Sequence, residues 1–148
     1  MREFAPVEFV VPGKPQGKGR PRGTTIAGQV RLYTPSKTKE YEAQVAQAAQ
    51  VAMRGRSLID GPVLIELQIY HEVPASWPKR KRAQALQGLL PATCLPDADN
   101  VLKAICDGCN GIVWKDDRLA SDGNFRRRYA ETPCVRVRIV PIMTEGAA

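Results

Sequence analysis

The chain has 148 residues, 43% of them hydrophobic and 25% charged, with 22 Lys plus Arg against 15 acids and a formal charge of +7. That length suits one domain with its own core, expected here over residues 1–148, and the ordinary charged fraction excludes global disorder. No apolar run approaches the roughly 18 residues of a membrane span, and Glu3 and Glu8 interrupt the apolar N-terminus, so neither a membrane partner nor a signal peptide is expected and the protein should be cytoplasmic.

In chain order, Val7–Val11 reads as a short strand. A Gly/Pro-rich basic loop, Gly13–Gly23, follows, and Val30–Tyr33 reads as a second strand. Thr34 before Pro35 is a good helix entry, since Thr caps and Pro tolerates the first helical position. Tyr41, Val45, Ala48 and Ala52 then recur at helical steps to about Met53, and Gly55 is a natural stop. Val63, Ile65, Leu67 and Ile69 alternate as one face of a strand. Trp77–Leu90 reads as a basic helical or loop insertion. Asn100 to about Cys109 reads as a helix with Val101, Leu102 and Ile105 toward a core, ended by Asn110-Gly111. Phe125–Tyr129 and Val135–Ile142 complete the set as strands with arginines on one face. Strands interleaved with two main helices give an α/β or α+β class around one mixed sheet.

The basic balance points to a polyanionic partner, most simply nucleic acid. Lys14, Lys18, Arg20 and Arg22 share the Gly/Pro loop, and further basic runs occupy 79–82 and 126–128. Against them stand Asp97, Asp99, Asp107, Asp116, Asp117 and Asp122, six of the 15 acids. Asp97 and Asp99 lie two apart at a helix start, where the dipole favours anions. Lys103 follows Asp99 by four residues on the same helix face. Carboxylates converging with no His or Cys beside them suit Mg²⁺, with Mn²⁺ as a substitute. Such an ion near basic patches is equipment for phosphodiester hydrolysis. A structural alternative has Asp97 as a helix cap, Asp99 paired with Lys103, and Asp116-Asp117 as a polar turn.

The order of motifs resembles the phage-type RusA family of Holliday junction resolvases. Pro12-Gly13-Lys14-Pro15, Lys18-Gly19-Arg20-Pro21-Arg22 and Tyr33–Glu42 are similar to that family's N-terminal half. Pro96-Asp97-Ala98-Asp99-Asn100-Val101-Leu102-Lys103-Ala104 and Asn110–Asp117 are similar to its catalytic half. The resemblance covers nearly the whole chain. It implies a RusA-like fold and a homodimeric, Mg²⁺-dependent crossover junction endodeoxyribonuclease that nicks four-way DNA on opposed strands during recombination and repair. By position it implies Asp97, Asp99 and Asp117 as catalytic metal ligands and Lys103 as the catalytic lysine. It leaves Asp116 open: in an extended segment Asp116 and Asp117 face opposite ways, so only one would ligate. Ala98 departs from the family's usual Leu.

Two other classes stay in view, a non-catalytic basic DNA-binding module and a nuclease for other branched DNA. Four cysteines with a single CxxC inside a helix read as free thiols, not a zinc site. The lone His71 makes neither a triad nor a metal cluster. Trp77 and Trp114 read as core. The Gly13–Gly19 stretch lacks G-x-x-x-x-G-K-[ST], so no nucleotide cofactor is expected.

Overall fold

The computed structural model describes residues 4–19, 22–33 and 36–144, with the side chains of 22, 24, 26 and 31–33 left aside. Arg20 and the Thr34-Pro35 helix entry lie outside the described residues, as does the side chain of Arg22. In chain order the elements are β1 (Val7–Pro12), β2 (Arg22–Ile26), β3 (Gln29–Tyr33), α1 (Ser36–Met53), β4 (Val63–Glu72), α2 (Lys79–Leu86), α3 (Ala98–Cys109), a 3₁₀ turn (Asp117–Leu119), β5 (Ala120–Ala130) and β6 (Cys134–Pro141). Four strands form a mixed sheet in the order β1-β6-β4-β5, antiparallel except for the parallel β4–β5 pair, and β2 and β3 form a separate hairpin. The class is α+β, as expected.

The alternation in β4 is realised in full: Val63, Ile65, Leu67 and Ile69 are buried. Val135, Val137 and Ile139 of β6 and Val7, Phe9 and Val11 of β1 extend that face, and α1 and α3 cover it in one core. The opposite face carries cross-strand charge, with Arg138 of β6 donating from Nε to Glu8 of β1 at 2.9 Å and pairing with Glu66 of β4 at 3.4 Å. A small satellite core of Val73, Ala85, Ala92 and Tyr129 seats α2.

Helix α1 buries Tyr41, Val45, Ala49 and Met53, a strict four-residue row, while Ala48 and Ala52 are only partly buried. The reason lies in α3. A Cβ on Gly108 would stand 2.6 Å from Val45 Cβ and 3.0 Å from the Glu42 carbonyl oxygen, so the two helices approach as closely as backbone allows. The contact row through Val45 thereby follows the i+4 ridge.

Strand β5 begins five residues before its expected start, and β2 was not expected at all. The arginines of β5 do not share a face. Arg126 and Arg128 pair with Gln68 and Tyr70 on the outer side, whereas Arg127 opposite Ile69 points to the helix side. Among the described residues, no helix is long and apolar enough to cross a membrane.

Candidate active site

Asp97 occupies the N-cap of α3 with extended backbone, and its Oδ1 accepts the Asn100 N–H at 3.0 Å. This is the ordinary device for satisfying a free helix donor. Asp99 lies exposed in the first turn, in the positive end of the helix dipole. Lys103, exposed one turn on, forms no ion pair with Asp99 within 4.0 Å. Its ammonium is therefore not spent on its helix neighbour.

The segment bearing these groups is fastened from the side by the Gly13–Gly19 stretch. Lys18 N–H donates to the Asn100 carbonyl at 3.1 Å and Gly19 N–H to Thr38 Oγ1 at 3.0 Å. A Cβ on Gly17 would meet Asn100 Cβ at 3.0 Å and Pro96 Cβ at 3.1 Å, so any larger residue would press this chain a few tenths of an ångström off the Asp97 segment.

The turn after α3 delivers the second acidic pair. Trp114 is fully buried, its Nε1–H donates to Asn110 Oδ1 at 2.7 Å, and Ile59 N–H donates to the Val113 carbonyl at 2.8 Å. From this anchor Asp116 caps the 3₁₀ turn, accepting Arg118 N–H at 3.1 Å, and Asp117 opens that turn half-buried. The segment is thus not uniformly extended. The Asp116 carboxyl is near enough to act electrostatically on that of Asp117. Burial, then the neighbouring carboxyl of Asp116 and the charge of Asp107, push the Asp117 carboxyl above the ordinary range, while Lys103 pulls the other way.

Asp107, to which sequence reasoning gave no role, joins this group. Its Oδ2 lies 3.0 Å from Lys18 Nζ, and the same ammonium lies 2.5 Å from Glu42 Oε1 of α1. Burial lowers the proton affinity of Lys18, and the two carboxylates more than offset it, leaving its pKa above the ordinary lysine value. Cys106 shares the neighbourhood; burial, then Asp117 and Asp107, push its thiol up to about 12. Only tertiary contact signals Asp107, because its partners come from the first loop and from α1.

The structure brings Asp117, Asp116, Asp107 and Lys103 into electrostatic contact and places Asp97 and Asp99 on the same helix, toward its other end. Among the described residues, no three His, Cys, Asp or Glu groups converge as a ligand set. Mg²⁺ commonly uses one or two carboxylates, several waters and substrate phosphates, so the exposed, all-oxygen donors fit it by type.

The remaining candidates fall elsewhere. Lys14 pairs with Glu72 at 2.9 Å, both exposed. The run 79–82 opens α2, where Lys81 Nζ sits 4.0 Å from the ring centroid of half-buried Trp77. All four cysteines are free, with Cys106 and Cys109 buried in α3. His71 is buried at the end of β4.

The model of a family described as Endodeoxyribonuclease RusA matches residues 12–140. The chain is also 36% identical over 135 residues to a Bacillus subtilis protein described as "Uncharacterized protein YqaN", covering 90% of this chain and 94% of that one. The family match takes in β4, β5 and all but the last residue of β6, with only Pro12 of β1, together with α3 and the Asp116-Asp117 turn. On that span, the chain belongs to the RusA family of endodeoxyribonucleases.

Proposed function

We propose that this member of the family is a magnesium-dependent, structure-selective enzyme that resolves four-way DNA junctions by paired nicks in opposed strands, acting as a homodimer in recombination and repair. One observation carries the reading. Asp99, Lys103 and Asp107 follow one another along one face of α3, and the turn after the helix returns Asp117 to Lys103.

In this reading Asp97, Asp99 and Asp117 hold the ion. Magnesium bound there supplies a Lewis acid that activates water and offsets charge on phosphate oxygens. The positive end of α3 favours the negative charge of Asp97 and Asp99. Lys103, free of Asp99, offers its ammonium to the scissile phosphate as negative charge builds there. Lys18 holds the loop through Glu42 and Asp107, so phosphate contact falls to Lys14, Arg20 and Arg22. Two strands cut in one junction call for two identical sites at fixed separation, which a two-fold dimer supplies.

The test is single-turnover cleavage of a synthetic four-way junction beside a linear duplex of the same sequence, with Mg²⁺. Paired symmetric nicks in the junction alone are expected. Equal cutting of flaps or forks would make it a nuclease for other branched DNA. Tight junction binding with no nick under Mg²⁺ or Mn²⁺ would leave a non-catalytic binding module. Sedimentation of a fully active monomer would remove the dimer.

A further inference from the structure

The segment that leads into Asp97 is held from below by one side chain. Arg127 points from β5 to the helix side of the sheet, where its Nε–H donates to His71 Nε2 at 3.3 Å. Its terminal NH₂ donates to the Pro96 carbonyl at 2.8 Å and also to the carbonyl of Cys94. Its own carbonyl accepts the Ala92 N–H at 3.1 Å. Residues 92 to 96 are thereby laid along β5, and Asp97 is the next residue. His71 is only 4% exposed, and it can accept from Arg127 only with a lone pair on Nε2, which means a neutral ring. The ring of Tyr129 stands 6.5 Å away on the same sheet face.

This arrangement is unlike that of a phosphate-binding arginine, whose planar fork must be open to a ligand. Here the fork is turned inward onto main-chain oxygens. We propose that Arg127, oriented by His71, is a positioning residue that fixes the direction in which Asp97 and Asp99 enter α3, and that it takes no part in DNA contact. The inference rests on the reading of Asp97 and Asp99 as the metal-holding carboxylates. Charge-assisted bonds to two carbonyls of one loop can hold it to a fraction of an ångström, and displacements of about 1 Å at a reacting centre can cost about 10²-fold in rate.

The experiment compares the full chain with Arg127→Lys, Arg127→Met, His71→Gln and His71→Leu. Three readouts are taken: junction affinity, the single-turnover nicking rate at saturating protein and Mg²⁺, and amide hydrogen exchange of metal-free protein. Arg127→Lys should lose about 10² in rate with unchanged affinity, because an ammonium cannot bridge His71 and both carbonyls. Exchange should rise selectively at Asn100 and Val101, whose N–H groups bond to Asp97. His71→Gln keeps an acceptor and should retain most of the rate, whereas His71→Leu should follow Arg127→Lys. Weakened affinity with an intact saturated rate would make Arg127 a phosphate contact and overturn the proposal. So would an unchanged rate, or equal behaviour of the Gln and Leu variants. Should Arg127→Met unfold, the His71 pair decides alone. A wild type that cuts no DNA would refute the proposed function, while the exchange data would still decide whether Arg127 orders the Asp97 segment.

Discussion

The two ends of α3 carry aspartates in opposite circumstances. At the N-terminal end, Asp97 and Asp99 are exposed, and the dipole and a capping bond suffice to accommodate them. At the C-terminal end, Asp107 is half-buried beside Asp117 and Cys106, against the dipole, and it needs Lys18 from the first loop as counter-ion. A carboxylate that local structure already favours is free to serve a ligand. One that local structure opposes must be compensated by distant chain, and the compensating residue becomes part of the architecture.

The sharpest way to break that contrast is to neutralise the N-terminal end. Asp99→Asn keeps shape and removes a ligand charge, so nicking should fall by more than about 10³-fold while junction affinity holds or rises, since a charge facing phosphate is gone. Filter binding and single-turnover assays in Mg²⁺ read both, and undiminished nicking would remove Asp99 from the site. Next comes Lys103→Ala. With no ion pair to Asp99 to lose, it should bind junction normally and cut about 10²–10³-fold more slowly, with Lys103→Arg recovering only part. A loss below about tenfold would return Lys103 to the helix surface as an ordinary solvated charge.

At the other end the expected damage is to stability. Lys18→Met leaves Glu42 and Asp107 facing each other without their cation, and should cost about 1–2 kcal/mol in urea unfolding. Lys18 has a raised proton affinity in the fold, so its contribution is complete below its ordinary pKa of 10.5 and is lost as pH rises through the raised value. The salt dependence of junction binding should be unchanged in Lys18→Met, whereas a phosphate contact would lower the slope by about 0.9. The smallest effect concerns His71. Burial, and then Arg127, lower its pKa below 6.5, so the fold prefers the neutral ring; that preference stabilises fully above pH 6.5 and is lost as pH falls through the lowered value. With Arg127 and Tyr129 as the groups facing it, wild type should lose more melting temperature than His71→Gln between pH about 7.5 and about 5.

Legibility in the sequence tracks this same division. The β4 alternation, the cap at Asp97 and the Asp99–Lys103 spacing are local, and each was readable because a strand period or a helix turn encodes it. The hairpin β2–β3 was half-missed because Arg22–Ile26 has no apolar alternation. Its signal was the Ala27-Gly28 pair, which takes positive φ of 52° and 79° as a tight hairpin turn requires. The start of β5, Ser-Asp-Gly-Asn, reads as turn, and parallel pairing to β4 overrides that preference. Asp107 and Arg127 were illegible for a different reason. What they do depends on Lys18, Glu42, His71 and the Pro96 carbonyl, partners that no local period brings to them.

The missing side chain at Gly108 has a mechanical consequence. Helix α3 is a rod of 12 residues, about 18 Å long, gripped against α1 near its C-terminal end. Asp99 sits roughly 13 Å up that rod. A tilt of about 10° at the grip would swing Asp99 by roughly 2 Å, more than the error that can cost a reacting centre two orders of magnitude. The seam at Val45 therefore acts as a pivot with almost no play. The angular tolerance of Asp97 and Asp99 is set by the contact of Gly108 with Val45 and the Glu42 carbonyl, at the far end of the helix from them.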